Sequence, residues 1–406
     1  MKMEVDWTEL PAELIEAISK KLKFYSDYIR FQRVCRNWRL SIPKTPNHLP
    51  PQLPWLMLPQ SQSQSQSQTH CAFFNLSANK VHLLNLPEAS LRSRHCGSSH
   101  GWVIILDETP AILLLNPLTR VKIHLPPLSS FLNVVSFSYF DIGREYTVAS
   151  YLPAGAGDRY NCSLRQMRDS FIKKIVLSSS PVDKDYNFFA VAILNQTADL
   201  AYCRNGDQCW TLIEGMQSYS EDVIYHKGSF YAVDKAGLIT VCDVAGDKDK
   251  PRVSIIQTPP QFGGDMQYLV GSEDELLLVT RYLDLEFDFE PHQPQLVYRT
   301  TRFEVFKLNW CGPQWERMRS LGDTALFIGQ NSSLALSASD FPGCRADCIY
   351  YTDDYSESNY DDVYGEHDLG IFKLEDGSIE PLPCYPRYSH FRLRWPPPLW
   401  VIPNPC

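Results

Sequence analysis

No run of this sequence approaches the ~18 consecutive apolar residues that cross a bilayer. The first 23 residues are charged throughout and contain no apolar core of a secretory signal. Cytoplasm, nucleus or both are therefore expected, with no membrane partner. Positive charge is also short: 38 Lys and Arg stand against 47 Asp and Glu, a formal net charge of −9. A nucleic-acid backbone is not expected as a partner of such a chain. The twelve cysteines are scattered, and the nearest pairs, Cys203/Cys209 and Cys344/Cys348, lack the CxxC and spaced-histidine pattern of a zinc site. No GxxxxGK[ST] or HExxH occurs, and Gly155-Ala156-Gly157 lacks the third glycine of a dinucleotide fingerprint. These absences predict no metal, no cofactor and no catalytic residue. Four N-glycosylation sequons, starting at Asn75, Asn161, Asn195 and Asn331, are chance matches without a secretory route.

What is present describes a globular chain. Hydrophobic residues make up 44% and charged residues 21% of 406 positions, enough for two or three domains. The first stretch to stand out is 7–42. Pro11 suits a first helical position, and Glu13 and Glu16 followed by Lys20, Lys21 and Lys23 match a helix dipole. Leu14, Ile15, Ile18 and Leu22 form one apolar stripe. Ser26 is placed to cap a second helix, on which Phe31, Val34, Cys35 and Trp38 share a face. About 40 residues bury too little surface to stand alone, and Cys35 offers no disulfide or metal staple. The stripe needs a cover.

Leu10-Pro11, then Glu13-Leu14-Ile15, then Val34-Cys35-Arg36-Asn37-Trp38-Arg39 resemble an F-box. It departs from that pattern at Lys23-Phe24-Tyr25, where many F-boxes carry a proline. The resemblance implies docking on a Skp-type adaptor of a cullin–RING ubiquitin ligase. The residues expected at that contact are Leu10, Pro11, Leu14, Ile15, Ile18, Val34, Cys35 and Trp38.

Past Ile42 the texture changes. Six prolines between 43 and 59 predict an extended spacer, here bounded as 43–54 between an F-box unit at 1–42 and a β domain at 55–406. From Trp55 on no amphipathic helix is evident. Short apolar runs alternate with turn residues, the pattern of many short strands. Groups at 102–125, 223–244 and 325–375 recur with a period of roughly 45–50 residues, a propeller-blade length, so about 350 residues allow six to eight blades. Lys227-Gly228 marks the clearest hairpin. The first group supplies three strands, and Leu399-Trp400-Val401-Ile402 is expected to complete it and close the ring. Four Ser-Gln repeats at 61–68 predict a disordered loop over 60–70. Asp284–Glu290 and 353–368 read as acidic loops without the spacing of a calcium site.

Gly97-Ser98-Ser99-His100-Gly101-Trp102, Leu115-Asn116-Pro117-Leu118-Thr119-Arg120 and Leu125-Pro126-Pro127-Leu128 resemble the KIB-type β-propeller found behind F-boxes in plants, over most of 55–402. The glycines and the Asn-Pro turn read as architectural. Gly97–Gly101 also spells G-x-S-x-G, but a nucleophile elbow needs a helix after it, and a strand-like Trp102–Leu106 follows.

The fold class expected is mainly β: a β-propeller preceded by a small all-α F-box. The function expected is a non-catalytic substrate receptor of an SCF-type ubiquitin ligase, its propeller loops holding a target protein near the ubiquitin-loaded enzyme. Two alternatives stand beside it: an interaction scaffold outside the ligase, its helical stripe folded on its own propeller, and a propeller enzyme acting in the central channel.

Overall fold

A computed structural model describes residues 6–404 apart from 23–24, 44–45, 47–51, 60–68, 91, 150–157, 182–186, 196–198, 215–219, 245–250, 262, 289–294, 355–366 and 385–396. The Ser-Gln loop lies almost wholly outside the described residues.

The N-terminal unit is helical through Leu40. A 3-10 turn at Trp7–Glu9 is followed by α1 (Ala12–Ser19), α2 (Tyr25–Gln32) and α3 (Arg36–Leu40). Two helices were expected and three are found. The reason is Cys35, which takes an extended conformation (φ −159°, ψ 173°), and its Sγ accepts the Trp38 N–H at 3.5 Å as the cap of a new helix. Pro11 sits one place earlier than predicted, as the N-cap of α1, and Ser26 lies inside α2 rather than capping it.

From Trp55 to Val401 the described residues form seven sheets. Six of them radiate from an inner circle. Blade 1 runs outward as Leu399–Val401, Trp55–Met57, His70–Asn75 and Lys80–Asn85. Blade 2 is Arg94–Ser99, Trp102–Leu106, Ile112–Leu115 and Lys122–Leu125. Blade 3 is Ile172–Leu177, Phe189–Leu194, Leu200–Arg204 and Thr211–Leu212. Blade 4 is Ser220–His226, Ser229–Asp234, Ile239–Asp243 and Arg252–Ile256. Blade 5 is Met266–Ser272, Glu275–Asp288, Gln295–Asn309 and Gln314–Met318. Blade 6 is Leu334–Ser337, Thr324–Ile328, Cys348–Tyr351, Gly370–Lys373 and Ile379–Glu380.

The seventh sheet, Val134–Phe137, Tyr146–Ala149 and Arg159–Cys162, stands outside the circle. Blades 2 and 3 meet directly without it: Arg94 Nη1 donates to Ile172 O at 2.7 Å, and a Cβ on Gly97 would lie 2.7 Å from Ile175 O. The extra sheet and α4 (Leu164–Ser170) pack over the apolar core those two blades share. This helix was not expected. A capping box, Ser163 with Gln166, starts it, and its signal S-x-x-Q is present in the sequence.

Closure occurs as predicted. Trp55–Met57 pairs antiparallel with Leu399–Val401, Trp55 opposite Val401 and Met57 opposite Leu399. The ends of the ring are locked by Trp400, fully buried, whose ring meets Phe327 edge-on at 5.2 Å. The Lys227-Gly228 hairpin forms with both residues at positive φ (46° and 87°), the backbone a tight two-residue turn demands. Two expectations need correction. Asp284–Asp288 is strand, not loop: its alternating acidic and apolar residues continue a long hairpin in which Asp284 opposes Arg299. In blade 6 the chain does not meander, because the strand after Ile328 turns back to the inner edge and leaves Thr324–Ile328 parallel to Cys348–Tyr351.

Candidate functional site

Candidate sites are the face of the helical unit and the centre of the ring. The helical unit has a small core of Ile15, Tyr28, Phe31 and Ile42, with Leu10, Leu22, Tyr25 and Trp38 packed around it. The most motif-like residues hold this core together. Trp38 packs against Phe31, ring centroids 4.4 Å apart and tilted by 42°, and donates its indole N–H to Trp7 O at 2.9 Å. Asn37 donates to Thr8 O (2.9 Å) and Leu10 O (3.3 Å), tying the first turn to α3. Tyr28 and Gln32 both donate to Pro43 O, at 2.8 and 2.9 Å, and fix the exit of the chain.

The eight residues expected at the adaptor contact therefore divide. Leu14, Ile18 and Val34 are 52%, 40% and 55% exposed, and Pro11 is exposed with them. Leu10, Cys35 and Trp38 are half-buried and act at least partly from within. Ile15 is a correction. It has no exposed area, so in this conformation it supports the face and cannot touch a partner. The apolar stripe of α1 was wider than one contact: one edge, Ile15 and Leu22, turns to the unit's own core, while Leu14 and Ile18, one helical turn apart, turn outward. Trp7 and Leu40 are also largely exposed and were not among the expected residues. Their signal was position alone, Trp7 just before the Leu-Pro pair and Leu40 at the end of α3.

At the ring centre, Lys174 of blade 3 pairs with Asp222 of blade 4 at 2.5 Å, both buried. Asp222 also accepts the Leu269 N–H of blade 5 at 3.0 Å. Beside them lies Arg281, fully buried. Its Nη1 donates to Tyr268 Oη, Thr352 O and Asp354 Oδ1, each at 3.1 Å, and its Nη2 to Asp368 O (3.1 Å) and Oδ2 (2.9 Å). Arg281 thus grips both ends of the segment 353–368, whose middle lies outside the described residues. Burial raises the Asp354 carboxyl. Burial would also raise Asp353, but hydrogen bonds from His367 and Tyr298 outweigh it and hold that carboxyl below the ordinary range.

Several carboxylates and a histidine do converge here, as a channel enzyme would need. They are bound to one another, however, and the cavity beside them measures about 20 Å³, roughly one water. The arrangement is a structural clamp across blades 3 to 6.

The G-x-S-x-G stretch is a strand, a turn and a strand. His100 and Gly101 form the turn at φ 52° and 87°. Ser99 Oγ accepts the Leu177 N–H at 3.3 Å, a blade-to-blade bond. The turn is pressed under the C-terminal tail: Asn404 donates to His100 O and Asn116 to Asn404 O, both at 2.9 Å, and a Cβ on Gly101 would come within 2.3 Å of Asn404. Asn116 Oδ1 also accepts the N–H groups of Leu118 and Thr119 at 3.0 Å. These motif residues build the closure of the ring.

Comparison with known proteins follows the same division. Residues 7–48 match the F-box domain family, and residues 73–373 match the KIB1-4 beta-propeller family. The chain belongs to the F-box proteins with a KIB1-4 beta-propeller. Among its relatives, the F-box protein SKIP23 of Arabidopsis thaliana is 30% identical over 98% of this chain and 96% of its own length. A second F-box protein of that plant is 27% identical over 98% of this chain and 95% of its own. In this chain His100, Gly101 and Asn116 of the propeller motifs lie at the ring closure, and the F-box splits into a supporting core and an outward face.

Proposed function

We infer that this chain is a substrate-receptor subunit of an SCF-type cullin–RING ubiquitin ligase, acting in the cytoplasm, the nucleus or both. An F-box joined to a β-propeller, in a chain related to F-box proteins along its whole length, supports a receptor role in general. The finer reading assigns a Skp-type adaptor to the outward face of Pro11, Leu14, Ile18 and Val34, and a protein target to loops of the propeller. One observation carries it. The ring closes on its own C-terminal strand, and the helical unit spends Ile15 on its own core, yet Leu14 and Ile18 remain outside both. On this reading the subunit performs no covalent chemistry and works by raising the target's effective concentration near the ubiquitin-loaded enzyme.

The test is affinity purification of the full chain and of a version lacking residues 1–42. Ligase components are expected with the first only, and candidate targets with both. Ligase components retained without residues 1–42 would contradict the assignment and favour a scaffold outside the ligase.

A further inference from the structure

A cleft of about 210 Å³ lies where α2 meets the outer part of blades 1 and 2. Ile29, Leu83, Leu84, Pro117 and Leu118 give it apolar walls. Trp55 and His82, also lining it, stack nearly parallel at 4.8 Å and add a flat aromatic surface. Three guanidinium groups, Arg30, Arg33 and Arg120, complete the lining. Carboxylates only partly offset them. Arg30 faces Asp27 at 3.3 Å, while Glu88 is shared by Arg120 (3.0 Å) and Lys122 (2.5 Å). Four cations thus stand against two carboxylates, a local surplus of positive charge in a chain whose net charge is −9.

Behind the walls, some polar atoms have no partner among the described residues. Trp55 Nε1, His82 Nε2 and Arg120 Nε are buried without a hydrogen-bond partner. Burial and the nearby Arg30 both push the His82 imidazole below its usual range, a depression that an anion beside it would relieve.

We propose that this cleft binds a small aryl anion, a flat apolar ring bearing a carboxylate or phosphate. The volume suits such a group, being equal to roughly seven waters and below the 300 Å³ or more of drug-sized pockets. The ring lies against the apolar and aromatic walls, and the charged head meets Arg33 and Arg30 at the mouth. Because α2 forms one side and the propeller the other, the ligand bridges the helical unit and the ring. This site is separate from the outward face of α1 and does not depend on the ligase assignment.

Calorimetric titration of the full chain with benzoate, phenyl phosphate and inorganic phosphate tests this. At least one aryl anion is expected to bind at one per chain, with inorganic phosphate roughly tenfold weaker, since it leaves the apolar walls unfilled. Arg33→Gln removes an exposed charge and should weaken aryl-anion binding roughly two- to fivefold. Arg30→Gln with Arg33→Gln should weaken it roughly tenfold. Thermal melts of each variant without ligand are expected to match the parent, so lost binding is not lost folding. No binding of either aryl anion overturns the proposal, as does inorganic phosphate binding equally well or aryl-anion affinity unchanged in the double variant.

Discussion

Leu14 and Ile15 are adjacent in sequence and opposite in role. Truncating Ile15, fully buried in a four-residue core, should cost the helical unit about 2–4 kcal/mol. Leu14→Ala should leave stability within about 0.5 kcal/mol, because half of its surface is already exposed. Urea midpoints of the two variants check this; equal losses would mean Leu14 is covered within the chain. The sequence could not separate them, since a helical stripe gives direction only to within the width of a side chain, and both lie on it.

His95 gives a second residue-scale prediction. It is buried on the inner strand of blade 2, both ring nitrogens lack partners among the described residues, and burial lowers its pKa from 6.5 to about 4. The folded state then binds fewer protons than the unfolded state between these values, so stability should rise with pH across that window. The contribution is whole above about pH 6.5 and is lost as pH falls toward 4, on the order of 3 kcal/mol in all. His95→Leu should flatten the difference in urea stability between pH 5 and pH 7. A difference unchanged by the substitution would assign it to other histidines that burial depresses, such as His82 or His226.

Among elements, those with strict local signals were legible and those shaped by distant partners were not. The Lys227-Gly228 turn and the strands Trp102–Leu106, Ile112–Leu115, Ser229–Asp234 and Ile239–Asp243 follow from short apolar runs and turn chemistry. The inner strands Arg94–Ser99 and Ile172–Leu177 were hidden. Buried on both faces and rich in Arg, His, Ser or Lys, they carry no alternation, and their polar groups are paid for by bonds to other blades, such as Arg94 to Ile172 and Ser98 to Trp400. The acidic run from Asp284 looked like a loop because charge masked a period of two. The closing strand at Leu399–Val401 was legible because a ring has to complete its first sheet. Its role predicts that Trp400→Ala, which empties a fully buried site, costs about 3–5 kcal/mol. Truncation before Leu399 should bare the edge of Trp55–Met57 and cause self-association, read as a rise in light scattering. A truncated chain that stays monomeric would show that closure is dispensable.

For the whole molecule, the two units differ in self-sufficiency. The propeller buries its apolar surface in continuous clusters from blade to blade and bolts its centre with Arg281 and Lys174. Removing the Arg281 head group, by Arg281→Met, would leave Asp354 and Asp368 without their counter-charge and should cost about 3–5 kcal/mol, seen as a lower melting temperature. The helical unit has four buried core residues and leaves apolar side chains in water. An adaptor interface of standard size, ~1,600 Å², would cover them, with a few anchors supplying most of the affinity at about 2 kcal/mol or more each.

The most direct test is the affinity of the full chain for a Skp-type adaptor, with and without Leu14→Ala and Ile18→Ala together. The account predicts a loss of at least roughly a hundredfold, two anchors at about 1.4 kcal/mol per tenfold, while circular dichroism and the melting temperature stay unchanged. Undiminished adaptor binding by that folded double variant would contradict it.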